Sequence, residues 1–81
     1  MKKVIVLSDL FEGQSGRVIK LLCGGNMRRR LLDLGIADNA LLECFYKSSY
    51  GDLAAYGVKG SVIALRKDTA NDILISLLGK D

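Results

Sequence analysis

Few residues of this chain are able to do chemistry, and the missing ones constrain it as much as those present. Histidine is absent, which removes the commonest general base at neutral pH and the commonest transition-metal ligand. The two cysteines, Cys23 and Cys44, lie far apart and form no Cys-x-x-Cys pair. That spacing gives neither a zinc signature nor a disulfide framework. Both read as reduced thiols buried on strand segments among aliphatic neighbours, where burial suppresses thiolate formation. The nine acidic residues are scattered rather than clustered, so no ferrous-iron site and no bound cofactor is expected. No Ser/His pair and no paired carboxylates occur, which predicts a protein that is not an enzyme.

Arg28-Arg29-Arg30 is the most conspicuous charge run. With Asn26 read as a helix cap, all three fall in the first helical turn. The positive end of the helix dipole disfavours cations there by roughly 0.3–1 kcal/mol each. A local rule broken three times in succession suggests an anionic partner, such as a phosphate backbone or an acidic protein surface. The alternative is a solvated basic face whose stems cover apolar residues, with Arg29 paired to Asp33 at i+4. Gly24-Gly25 precedes the same helix, but neither GxxxxGK[ST] nor GxGxxG is present. The pair therefore reads as a tight strand-to-helix turn rather than a phosphate cradle. Gly51-Asp52, in a polar loop, reads first as turn chemistry.

These residues must be positioned by a small β-rich domain. Met1 to Leu7 runs into Val4-Ile5-Val6-Leu7 and suits a strand. Ser8 to Ser15 reads as a loop, with Leu10 an anchor and Gly13 a turn residue. Gly16 to Cys23 is the next strand, and its broken alternation at Arg17 and Lys20 suggests a bulge. Met27, Leu31 and Leu34 fall at i, i+4 and i+7, giving a helix over 27–34 with Gly35 closing it in the left-handed conformation. Asp38-Asn39 marks a turn. Strands follow over 41–47, 54–59 and 61–65, the last two joined tightly at Gly60. Residues 66–71 suit one helical turn, and 72–78 return to an extended apolar segment. The pattern predicts one domain over 1–81: a small closed or half-closed antiparallel barrel with one short helix and a second helical turn.

Composition agrees with this. The chain has 81 residues, of which 49% are hydrophobic and 26% charged, a balance that excludes overall disorder. Val4 to Leu7 is the longest aliphatic run, far below the roughly 20 residues needed to cross a bilayer. No signal peptide is visible, so a soluble intracellular domain is expected. Twelve basic and nine acidic residues give a net charge of +3, weak grounds for a nucleic-acid partner.

The strand faces carry more information than any single polar residue. With Ala54, Tyr56 and Val58 inward, Ala55, Gly57 and Lys59 face outward. With Ile63 and Leu65 inward, Val62 and Ala64 face outward, and Leu41 opposes Leu42. Half-buried strands ordinarily alternate with polar residues. Apolar residues at the outward positions suit a patch covered by another protein or by the terminal segments. Arg28, Arg29, Val62 and Ala64 are accordingly expected to contribute to a partner-binding surface. Arg30 is set apart, because it lies nearer the apolar stripe of the helix.

In order and spacing these features resemble the ferrous iron transport protein A (FeoA) family. The residues that carry the resemblance are Leu7, Leu10, Gly13 and Gly16-Arg17-Val18, then Arg28-Arg29-Arg30-Leu31-Leu32-Asp33-Leu34-Gly35-Ile36. Gly51-Asp52, Tyr56-Gly57-Val58-Lys59-Gly60 and Ile63-Ala64-Leu65-Arg66-Lys67-Asp68-Thr69-Ala70 complete it. Within these, Arg30, Leu31, Asp33, Gly35, Gly51, Asp52, Gly60, Leu65 and Arg66 match the family motif. Leu53 stands where the family usually has proline, and Asn39 where glycine is common. The resemblance implies an SH3-like barrel with a short inserted helix. It further implies a small cytoplasmic accessory that acts, without enzyme activity, by contact with the membrane ferrous-iron transporter FeoB and its GTPase domain. Neither membrane insertion nor nucleic acid is expected. Two other readings use the same barrel: a detached regulatory domain of a DtxR-like metal-dependent repressor, and a nucleic-acid-binding β-barrel. The second wants exposed aromatics for stacking, whereas several of the five aromatics here read as buried.

Overall fold

A computed structural model describes residues 3–78. Six strands and two short helices follow one another as β1 (Lys3–Val6), β2 (Ser15–Leu21), α1 (Gly25–Asp33), β3 (Leu41–Lys47), β4 (Leu53–Val58), β5 (Ser61–Arg66), α2 (Lys67–Ala70) and β6 (Ile73–Leu78). A 3₁₀ turn at Leu7–Asp9 follows β1. The first strand ends one residue earlier than expected, because Leu7 has already entered the 3₁₀ turn, and Met1 and Lys2 lie outside the described residues. Likewise β2 stops at Leu21, so Leu22 and Cys23 belong to the connection to α1.

All strands pair antiparallel in one sheet of order β1-β6-β2-β3-β4-β5. The sheet curls round a core but does not close, so of the closed or half-closed barrel expected, the closed form is ruled out. Its two edges are β1 and β5. In place of a ladder between them, α2 packs against the 3₁₀ turn, and the Ser8 hydroxyl donates to Asn71 Oδ1. The chain enters α2 directly from β5, so that edge turns away before it can meet β1.

The core sits inside the curl. Leu7, Leu10, Val18, Leu31, Ile36, Leu42, Cys44, Tyr56, Ile73 and Ile75 are fully buried. Val18 and Ile75 face each other across β2 and β6, and Cys44 faces Tyr56 across β3 and β4. Along β4 the expected alternation holds: Ala54, Tyr56 and Val58 are buried, while Ala55 and Gly57 are only half-buried. The broken alternation in β2 has its cause in a register slip between Val18 and Lys20. A second slip, between Cys44 and Tyr46, leaves Phe45 as the extra residue of β3.

Two turns use the left-handed conformation where the sequence marks it. Asn39 has φ 71°, as a residue at a glycine-favoured position must. Lys59 and Gly60, at φ 50° and 82°, form a two-residue hairpin loop closed by the Val58–Ser61 pair. Positive φ at both loop residues is the twist-matched hairpin geometry.

Candidate partner-docking surface

The geometry of α1 decides where its arginines point. The helix begins at Gly25 with Gly24 as its cap, and no side chain caps it. Asn26 is thus inside the helix, and the expectation that it caps is corrected. Starting two residues earlier leaves only Arg28 in the first turn and carries Arg30 into the last, where the dipole favours a cation. Arg28 also turns back, and its Nη1 donates to the Leu21 carbonyl at 3.4 Å. The threefold electrostatic misfit therefore shrinks to one residue, which has a local partner.

The other end of α1 closes as the sequence indicates. Gly35 (φ 95°) donates to the Leu32 carbonyl at 3.0 Å, and Ile36 donates to the Leu31 carbonyl at 2.9 Å. These two bonds are a Schellman motif, accompanied by the usual apolar contact between its flanking residues, here the buried Leu31 and Ile36. Of the expected stripe, only Leu31 is fully buried. Met27 and Leu34 stay about 40% exposed, at 38% and 42%, because they border a groove instead of the core.

That groove, about 290 Å³, runs between α1 and the end of β5. It is lined by Met27, Arg30, Leu31 and Leu34 on one side and by Ala64, Leu65, Arg66 and Thr69 on the other. A second groove of about 480 Å³ lies on the outer face of β3, β4 and β5, among Leu41, Glu43, Phe45, Gly57, Lys59 and Val62. The Phe45 ring lies over Gly57 so closely that a Cβ there would stand 2.5 Å from it. Leu41, Phe45 and Val62 are exposed by 45%, 49% and 63%.

The residues expected to bind a partner therefore divide. Val62 and Ala64 lie on the same outward face of β5 but border different grooves. Arg28 and Arg29 are exposed on α1 and line neither. The arginine that meets Ala64 is Arg30, which the sequence reading set apart, together with Arg66. Phe45 was not anticipated, because the bulge that exposes both it and Tyr46 carries no signature of its own. Leu65 is in the core, and Asp33 is exposed on α1. Gly60 is the second residue of the β4–β5 hairpin loop, and Gly51 has φ 75° at the turn before β4. Asp52 accepts a hydrogen bond from the Ser48 hydroxyl at 2.8 Å, while its carbonyl accepts from Lys67 N–H at 2.9 Å. This loop is braced by its own Ser48 and by the start of α2.

The cysteines are unlike each other. Cys44 is fully buried and burial pushes its thiol above the usual range, against a smaller opposing pull from Lys47. Cys23 is only half-buried, which corrects the expectation for it. The hydroxyl of the buried Tyr56 is pushed up to about 12, by burial first and by nearby Cys44 second. Neither shift activates a nucleophile; both hold a core group neutral. Among the described residues, no three His, Cys, Asp or Glu side chains gather as a metal-ligand set, and no helix is long and apolar enough to cross a membrane.

The expectation of buried aromatics also needs correction. Only Tyr56 is buried, whereas Phe11, Phe45, Tyr46 and Tyr50 are exposed. They form no stacking platform beside the arginines: Phe11 has Lys47 Nζ 5.8 Å from its ring centre, Phe45 covers Gly57, and no aromatic lines the arginine groove.

The model of the FeoA domain matches residues 5–77. A search of curated proteins by sequence finds no match. Among solved structures, a FeoA-like protein from Clostridium acetobutylicum is 30% identical, with a TM-score of 0.88 over 100% of this chain and 94% of that one. A crystal structure of an iron uptake regulatory protein (FeoA) is 25% identical, with a TM-score of 0.83 over 94% of this chain and 99% of that one. A manganese-dependent transcriptional repressor shares the fold at 16% identity, with a TM-score of 0.85 over 96% of this chain but 44% of its own.

Proposed function

The chain belongs to the FeoA family, whose fold is SH3-like, and from that premise we propose that it is a small cytoplasmic accessory of ferrous iron uptake. It acts by contact with the membrane transporter FeoB at its cytoplasmic GTPase domain and turns over no substrate of its own. The observation that carries this reading is the outward face of β3–β5, where Leu41, Phe45, Val62 and Ala64 are exposed on strands that would otherwise show polar residues to water. Arg28 and Arg29, exposed on α1 outside both grooves, supply cations that attract an acidic partner from a distance. Arginine suits this use, because its planar fork pairs with carboxylates while its stem packs. The likeness to the repressor is one of fold, and no regulatory role is built on it.

The test is binding of the purified chain to the purified GTPase domain of the cognate transporter. The expected result is saturable binding, with Arg28→Glu/Arg29→Glu folding normally and associating more slowly. No binding at any salt concentration overturns the reading. Tighter, steeply salt-dependent binding to DNA or RNA replaces it with the nucleic-acid reading.

A further inference from the structure

The groove between α1 and β5 combines three features that do not come together in the outer groove. First, β5 is the last strand of the sheet, so one row of its backbone N–H and C=O groups has no strand beside it. Among the described residues, Ser61–Leu65 form no backbone bond outside their own ladder with β4, while Arg66 caps α2. An edge of this kind is a template for one more strand. Second, the groove is two-sided: Met27 and Leu34 rise from α1, opposite Ala64, and all three are exposed. Third, its charge has one sign. Arg30 and Arg66 both line it and no carboxylate does; Asp33 and Asp68 sit on the adjoining helices but outside the lining. The outer groove, in contrast, holds Glu43 and Lys59 together.

From this juxtaposition we infer that the groove between α1 and the free edge of β5 receives an extended, acidic segment of a partner protein as a seventh strand. Main-chain bonds to β5 hold the segment. Its side chains alternate between two faces: apolar ones rest on Met27 and Leu34 of α1, and carboxylates, on the face that Ala64 and Arg66 share, pair with the guanidinium groups of Arg30 and Arg66. The charge complementarity selects an acidic segment over a basic one, and the strand edge selects an extended segment over a helix. This deepens the docking reading above by naming the chemistry of what docks.

The probe is a synthetic eight-residue peptide alternating Leu and Glu, capped at both ends, titrated into the ¹⁵N-labelled chain. Its counterpart with Lys for Glu is titrated in parallel. The expected result is a set of amide shifts on Met27, Arg30, Leu34, Ala64, Arg66 and Thr69 with the Glu peptide and none with the Lys peptide. Arg30→Glu/Arg66→Glu should keep the dispersed spectrum of a folded chain and weaken the Glu peptide at least ten-fold. Four outcomes overturn the inference: equal response to both peptides, no response at millimolar peptide, shifts confined to Leu41, Phe45 and Val62, or concentration-dependent shifts at the groove without peptide, which would assign it to a second copy. A transporter GTPase domain that binds but shifts only the outer groove sinks this inference and leaves the docking reading standing. Peptide binding in the groove with no transporter binding does the reverse.

Discussion

The two faces of the β3–β4–β5 sheet are built from similar residues and obey different rules. On the inner face, Leu42, Cys44, Tyr56, Val58 and Leu65 are enclosed, and each has its volume set by its neighbours. On the outer face, Leu41, Phe45, Val62 and Ala64 are as apolar, yet they are exposed. Hydrophobicity alone does not separate a core from a docking surface in so small a domain; packing does. The inner residues stabilise the fold, whereas the outer ones leave apolar area exposed to water, which suits the docking role proposed for them.

The strongest way to break this contrast is to truncate the largest inner residue. Tyr56→Ala should destabilise the protein by about 3–5 kcal/mol, as truncating a buried aromatic generally does, measured by urea denaturation. A cost below about 1 kcal/mol would mean that the inner face is as loosely packed as the outer.

Alkaline pH probes the same residue without mutation. The Tyr56 hydroxyl titrates near 10 in an unfolded chain and is pushed up to about 12 in the fold. Between those values the unfolded state binds fewer protons than the folded one, so stability falls as pH rises. One such group steepens the fall by at most about 1.4 kcal/mol per pH unit. Burial raises the Cys44 thiol as well, which acts in the same direction. Stability attributable to Tyr56 is intact below about pH 9 and declines through 10 to 12, whereas the smaller Cys44 contribution begins to fall as pH approaches the ordinary thiol value of 9. Tyr56→Phe should flatten that decline in denaturation curves recorded from pH 8 to 12.

A pair of glycines sharpens the contrast further. A Cβ on buried Gly16 would stand 2.8 Å from Ile75 Cδ1 and 3.0 Å from the Ser76 carbonyl oxygen. A Cβ on Gly57 would meet the Phe45 ring tip at 2.5 Å, nominally the worse clash. The Ser76 backbone is fixed in its ladder, whereas the Phe45 ring is half exposed and free to swing. Gly16→Ala should therefore cost about 1–3 kcal/mol in thermal or urea unfolding. Gly57→Ala should cost less and instead move the Phe45 resonances. Equal costs would show the outer face to be packed like a core.

How much of this was legible in the sequence follows the range of the interaction. The β4 alternation and the Gly35 helix end depend on neighbours within a few residues, and both could be read directly. The start of α1 could not, since Asn26 has the better capping chemistry, yet the helix begins at Gly25 and Arg28 reaches back to Leu21. Nor could the bulge at Phe45, because an extra apolar residue in a strand has no local mark. The open edge at β5 depends on where α2 meets the 3₁₀ turn, a contact between chain ends. The arginine pair of the candidate groove was missed for the same reason: Arg30 and Arg66 belong to separate elements and meet only when α1 lies beside β5.

The smallest expected effect gives the most selective test of the contrast. Val62 is 63% exposed on the edge strand, bordering the outer groove opposite Gly57. Threonine keeps its shape and its preference for extended backbone while replacing a methyl group by a hydroxyl. Because the position is solvated, Val62→Thr should change stability by no more than about 0.5 kcal/mol, a shift of a few degrees at most in a domain of this size. A partner that covers the position would have to bury that hydroxyl, so binding to the transporter's GTPase domain should weaken while unfolding stays unchanged. A variant unaltered in both would remove Val62 from the docking face and leave the arginine-lined groove to carry the contact. A variant that loses stability by more than 1 kcal/mol would place Val62 with the core, and the two faces of the sheet would no longer differ there.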